Sequence, residues 1–197
     1  MNIGFVGLGT MSQLMARRLL AAGHHLVVHD RVSPRAETLI ARGAVLVETP
    51  ASVAWEVDIV FSMPGEDAAA QEMTFGEDGI ATGLSPKAIH VGCGTLSGAQ
   101  ARRLREGHAQ RGQTYVGAMI VEGPAGAEAG ELVVLASGAD NVWRRLEPVL
   151  KCLGFHVLRT GDHFRQTSPG GRHGPSMPVS QSVVRYPVFS CRTVRLT

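Results

Sequence analysis

At 197 residues the chain has room for one sizeable domain and a remnant, not for two full domains. Apolar residues at 44% suit an ordinary globular core, and a formal net charge of +2 offers no polycationic surface, so nucleic acid is not expected as a partner. No stretch approaches a membrane span, no charged segment precedes the N-terminal apolar run, and three cysteines (Cys93, Cys152, Cys191) without metal spacing point to a reducing cytoplasm.

Strands and helices alternate from the start. Ile3 to Val6 predict a first strand, Gly7 and Gly9 punctuate it, and Met11, Leu14, Met15, Leu19 and Leu20 then fall on one face of a 3.6-residue period. Gly23 stands where a helix stops. The turn reads "GLGTMS", a G-x-G-x-x-G fingerprint whose last glycine is Ser12. Gly7 permits the tight turn, and Gly9 lets the backbone approach a pyrophosphate with no Cβ in the way. The helix N-terminus offers amides and partial positive charge to it. The third position serves helix-on-strand packing, so a serine there leaves the anion site standing. "HLVVHD" is a second strand closing on Asp30, 21 residues after Gly9, where an acid takes ribose hydroxyls.

Further on, "SPRAETLIARG" reads as a helix with Ser33 as N-cap, Pro34 at its first position and Gly43 as its stop. "GAVLVE" is a short third strand, and "VDIVFSMP" a fourth, apolar enough for burial on both faces. "EDAAAQEMTFG" is a helix, "KAIHVGCG" a fifth strand, "SGAQARRLREGHAQRG" a helix capped by Ser97, and "QTYVGAMIVEG" a sixth strand. "ELVVLASG" and "FHVLRTG" add two strands around the helix "NVWRRLEPVLKCLG". The arginine clusters Arg102, Arg103, Arg105 and Arg144, Arg145 lie in helical patterns and mark solvated faces. The expectation is an α/β, Rossmann-type doubly wound, mostly parallel domain over residues 1–161. Residues 162–197, rich in Pro, Gly, Ser and Arg and without helical period, are expected to form an irregular tail.

Four segments in order carry a resemblance to the β-hydroxyacid dehydrogenase family: "IGFVGLGTMSQLMARRLLAAGHHLVVHDR", "DIVFSMPGEDAAAQEM", "IHVGCGTLS" and "GPAGAEAGELVVLASG". The resemblance implies an NAD or NADP cofactor, a small hydroxyacid as partner, and hydride transfer between the two. It places cofactor contacts on Gly7, Leu8, Gly9, Thr10, Met11, Asp30, Arg31, Met63, Pro64 and Thr95. For Met63 and Pro64 a strand-terminating turn is an equal alternative, and Thr95 could instead share in helix capping with Ser97. Asp30 argues for NAD(H), whereas Arg31 and Arg35 could pair with the 2′-phosphate of NADP(H). The carboxylate at the strand end is expected nearer the ribose, which favours NAD(H).

The chain departs from the family pattern in three places. Gly92 and Gly94 stand for an aspartate and a serine, and Val121-Glu122-Gly123 for a substrate-orienting Ser-Gly-Gly. The resemblance also implies a catalytic lysine and an asparagine on a helix after Gly161, yet no lysine occurs beyond Lys151 and no asparagine beyond Asn141. The expectation is therefore a truncated or frame-shifted relative without an assignable catalytic residue, and a non-catalytic dinucleotide-binding module is the second reading. His163, Glu122 and Cys93 are weak substitutes for the lysine. His24 and His25 read as surface residues.

Overall fold

The computed structural model describes residues 1–120, 132–153 and 156–160. Eight strands form one sheet: β1 (Asn2–Val6), β2 (His25–His29), β3 (Val45–Leu46), β4 (Ile59–Ser62), β5 (Ile89–Gly92), β6 (Thr114–Ile120), β7 (Val133–Ala136) and β8 (His156–Arg159). Their order is β3-β2-β1-β4-β5-β6-β7-β8, and only β6 and β7 run antiparallel. This is the doubly wound, mostly parallel α/β sheet expected. The order reverses at β1, which pairs with β2 on one side and β4 on the other.

Register decides which side chains go to which layer. Ile3, Phe5, Ile59, Phe61, Ile89, Val91 and Val116 share one face. They pack there with Leu14, Met15 and Leu19 of α1 (Thr10–Ala21) and Leu146, Val149 and Leu150 of α7 (Asp140–Cys152). Phe5 and Phe61 stack within this core at 5.3 Å. The other face meets α3 (Pro50–Ala54), α4 (Asp67–Phe75), α5 (Ile80–Gly83) and α6 (Gly98–Gln110) through two smaller clusters. The apolar stripe read from the α1 sequence is the buried one. Helix α1 ends in a Schellman turn: Gly23 has φ +83, and the N–H groups of Gly23 and His24 donate to Leu20 and Leu19.

Four expectations need correction. Ser33 is not an N-cap: Ser33–Ala36 form a 3₁₀ turn entered from Val32, with no side-chain cap, and only Glu37–Ile40 (α2) are α-helical. Pro34 suits that tight turn as well as it suits a helix start. The third strand shrinks from six residues to Val45–Leu46 at the sheet edge. Helices α3 and α5 were not expected, because elements of five and four residues are too short for a 3.6-residue period to show. His24 is half-buried rather than at the surface, while His25 is exposed. Ser97 caps α6 as expected, accepting from the Gln100 N–H at 3.1 Å. Arg102, Arg103, Arg105, Arg144 and Arg145 are exposed.

Beneath β4 and β5 lies a buried polar chain that sequence reading missed. The Gln113 amide nitrogen donates to the Ala81 and Leu84 carbonyls at 2.8 and 2.7 Å, so its oxygen accepts from His108 Nδ1 at 2.9 Å. Neutral His108 then presents a bare Nε2 to His90 Nδ1 at 2.9 Å, and His90 Nε2 accepts from the Ser62 hydroxyl at 2.7 Å. Both imidazoles are fully buried. Burial holds His90 well below its ordinary value, with His108 adding to the effect. Burial likewise lowers His108, to about 4, against an opposing bond to Gln113. The unfolded chain therefore binds more protons than the folded one between about pH 4 and 6.5, and stability falls as pH drops through that window. Urea unfolding midpoints measured from pH 7.5 down to 4.5 should fall continuously below about 6.5. A flat profile contradicts the assignment.

Candidate dinucleotide site

The carboxyl ends of β1, β2, β4 and β5 gather the residues singled out from sequence. Their turns continue the ladder: the N–H of Gly7 donates to the His29 carbonyl at 2.9 Å, that of Met63 to Val6 at 3.1 Å, and that of Cys93 to Ser62 at 2.8 Å. Gly7 and Met63 thus meet where the strand order reverses, the crevice in which sheets of this kind hold their ligands.

The two glycines of the turn do different work. Gly7 has φ +88, and a Cβ there would lie 3.1 Å from the Met63 carbonyl oxygen, so both backbone strain and packing select glycine. Gly9 has an ordinary extended backbone, φ −66 and ψ 175, and nothing lies within 4 Å of a Cβ built on it. The fold itself does not require glycine at 9, and the space above it is open. Gly9 is also the N-cap of α1 and supplies no side-chain cap, so the first amides of the helix are left for an outside acceptor. Gly9 and Thr10 are exposed, Met11 is half-buried, and Leu8 is wholly buried. This cradle fits a dinucleotide pyrophosphate.

At the neighbouring strand end Asp30 is 8% exposed and makes three contacts. Its Oδ2 accepts from the Leu8 N–H at 2.6 Å, and its Oδ1 accepts from the Val32 N–H at 2.7 Å, with Arg35 Nη1 3.5 Å away. Arg31 is exposed beside it. On the other flank Met63 is half-buried, Pro64 buried and Thr95 exposed. Ser97, not Thr95, supplies the α6 cap, which leaves the Thr95 side chain at the rim. The Ser97 N–H also donates to Asp67 Oδ1 at 2.9 Å, tying the turn after β5 to the start of α4.

The structure explains two departures noted in the sequence. A Cβ on Gly94 would meet the Pro64 carbonyl oxygen at 2.9 Å and the proline ring at 3.1 Å, so these two turns touch with no room for a side chain. A Cβ on Gly92 would collide with the Tyr115 hydroxyl, which fills the space an acidic side chain would need. Ser12, in place of the third fingerprint glycine, is wholly buried at the third residue of α1. Cys93 is buried and its thiol pushed up to about 12 by that burial, so it is a packing residue and not a reactive one. Glu122 and His163, with the Val121-Glu122-Gly123 segment, lie outside the described residues. Among the described residues no cluster of His, Cys, Asp or Glu could hold a metal, and no helix is long and apolar enough to cross a membrane.

Comparison with known proteins gives the family and the fold. Residues 2–161 match the family model described as the NAD binding domain of 6-phosphogluconate dehydrogenase. The chain is 34% identical to 2-hydroxy-3-oxopropionate reductase of Escherichia coli over 82% of its own length and 55% of that protein's. Among solved structures, 3-hydroxyisobutyrate dehydrogenase from Salmonella typhimurium superposes with a TM-score of 0.77 at 28% identity, over 84% of this chain and 57% of that one. Psf3 in complex with NADP+ and 2-OPP does so with a TM-score of 0.77 at 29% identity, over 81% and 57%. The chain spans about half the length of the curated relatives it matches.

Proposed function

Because this chain belongs to the 6-phosphogluconate dehydrogenase and 3-hydroxyisobutyrate dehydrogenase family, we propose that it serves as the cofactor-holding part of an oxidoreductase acting on a small 3-hydroxyacid or its aldehyde. The chain is an NAD(P)-binding domain of that family. The observation that carries the reading further is the open space over Gly9 at the mouth of α1, placed where the strand order reverses. Backbone amides of Gly9, Thr10 and Met11 would face the pyrophosphate, with Gly7 holding the turn and Leu8, its N–H held by Asp30, setting the path of the backbone beside the phosphates. Asp30 and Arg31 stand at the adenosine ribose end, and Met63, Pro64 and Thr95 at the nicotinamide end. The bound nicotinamide supplies the hydride donor or acceptor. This chain's residues bind and orient it: the amides neutralise phosphate charge, and the apolar Met63–Pro64 turn keeps water from one flank. Free thiols at Cys93 and Cys152 suit the reducing cytoplasm proposed for it.

A second reading, a dinucleotide-binding module without catalysis, draws on a different observation: no lysine occurs beyond Lys151 to serve a hydroxyl carbon. Calorimetric titration with NADH and NADPH tests what both readings share. One-site saturable binding in the micromolar to sub-millimolar range is expected, about −5 to −8 kcal/mol. Absence of heat with either nucleotide at millimolar concentration sinks both.

A further inference from the structure

We propose that the buried series Gln113–His108–His90–Ser62 is a positioning device that fixes the turn following β4. It thereby sets how firmly the chain grips the nicotinamide half of a dinucleotide, and leaves the grip on adenosine and pyrophosphate unchanged. The inference rests on the dinucleotide-binding reading above and deepens it, by giving a role in binding to side chains of the core.

The series has one polarity and one geometry. Gln113 gives its amide hydrogens to the Ala81 and Leu84 carbonyls, so only its oxygen is left for His108. Burial keeps both imidazoles neutral, and each therefore donates from Nδ1 and accepts at Nε2. The Ser62 hydroxyl ends the series as a donor, its hydrogen turned inward to His90 at 2.7 Å. The ring planes are held as well. Tyr115 stacks on His108 at 5.5 Å and meets His90 edge-on at 5.1 Å, and Phe75 lies 5.2 Å from His108. A fully satisfied buried network specifies a single arrangement, where an apolar core of the same volume tolerates several.

Ser62 is where this arrangement meets the crevice. It is the last residue of β4, level with Val6 of β1 and Gly92 of β5, and the turns after all three strands start from this rung. Its carbonyl accepts from the Cys93 N–H at 2.8 Å while its side chain is tied to the core. Met63 and Pro64 follow directly, and the Pro64 carbonyl oxygen lies 2.9 Å from where a Gly94 Cβ would be, so the turns after β4 and β5 touch. Freeing the Ser62 side chain loosens that pair of turns. The pyrophosphate cradle stands apart from it. Helix α1 packs with Ile89 and Val91, on the face of the sheet opposite His90, and the turn after β2 lies across β1 from Ser62.

The test is calorimetric titration of the full chain with NADH and with ADP, which shares the adenosine and both phosphates but lacks the nicotinamide half. Two variants break the series at different links. His108→Phe keeps a ring against Phe75 and Tyr115 and is separated from Ser62 by His90, and Ser62→Ala removes one hydroxyl. In each, NADH should weaken about tenfold, the size of one net hydrogen bond, and ADP should stay within about twofold. The double variant should bind NADH no more weakly than the worse single one, because both changes break one series. At saturating NADH the fluorescence enhancement of the bound nicotinamide should fall in both variants. Should His108→Phe not fold, Ser62→Ala alone decides. A network that only stabilises the core would lower the melting temperature and leave the NADH-to-ADP affinity ratio and the enhancement as in wild type, which overturns the proposal. Equal weakening of both nucleotides overturns it too, as does a wild type that binds NADH no more tightly than ADP. A wild type that binds neither nucleotide removes the underlying dinucleotide reading itself.

Discussion

Replacing Gly9 by valine is expected to abolish dinucleotide binding and leave the fold intact. The backbone at Gly9 lies in the extended region that any residue adopts, and a Cβ meets no atom within 4 Å. The folded chain therefore tolerates the side chain. A pyrophosphate does not, because the branched group takes the space through which phosphate oxygens reach the α1 amides. Loss of binding from the micromolar to beyond the millimolar range, about 10³-fold or ~4 kcal/mol, is the expected size. Calorimetry measures the loss, and circular dichroism with thermal melting checks the fold. Ser12→Gly serves as the control, with affinity nearly unchanged, since Ser12 is wholly buried and this position of the fingerprint serves packing. Gly7→Ala contrasts with both: φ +88 and the Met63 carbonyl 3.1 Å from its Cβ make that substitution a loss of stability first. Undiminished NADH binding by a folded Gly9→Val protein would remove Gly9 from the site.

The 197-residue polypeptide is expected to bind cofactor and yet show no turnover of short 3-hydroxyacids or their semialdehydes. Moving a hydride to or from a hydroxyl carbon leaves a proton to be handled and an oxyanion to be stabilised. The described residues proposed for the nicotinamide flank, Met63, Pro64 and Thr95, and the neighbouring Cys93 include no group suited to that task. The Cys93 thiol is buried and pushed up to about 12, and Met63 and Pro64 do not ionise. His90, the imidazole nearest in sequence, has both ring nitrogens engaged with Ser62 and His108 inside the core. No lysine follows Lys151. Missing acid–base help typically removes about 10²–10⁴ in rate. Imperfect orientation of substrate by about 1 Å removes roughly another 10². NAD(P)H absorbance at high protein concentration, with a panel of hydroxyacids and semialdehydes, is the measurement. Sustained turnover at an ordinary enzymatic rate, lost on changing Glu122 or His163, would show that one of these residues supplies the missing proton transfer.

Much of the scaffold was legible because it is written in neighbouring residues. Backbone freedom at Gly7 and Gly23, the 3.6-residue stripe of Leu14, Met15 and Leu19, and the cap at Ser97 each depend on a few consecutive positions. The apolar run that contains Ile59–Ser62 announces a strand buried on both faces. What failed locally failed for stated reasons. Ser33 carries a capping residue's chemistry but sits in a 3₁₀ turn, and α3 and α5 are shorter than two helical turns.

The sequence by itself determined the architecture, the cofactor class and the strand, glycine turn and helix that open the chain, because these are local patterns in fixed order. Only the tertiary structure decided what the polar side chains do. Asp30 reaches back 22 residues to Leu8, His90 forward 18 to His108, and Gln113 back 29 and 32 to Leu84 and Ala81. Gly92 and Gly94 make sense only against Tyr115 and Pro64. A hydrogen bond needs its partners within about 3 Å with the right direction, and that placement is set by how helices and strands pack, not by spacing along the chain. An aspartate at the end of the second strand reads the same in sequence whether or not its carboxylate holds a glycine turn. The fold has it holding the turn.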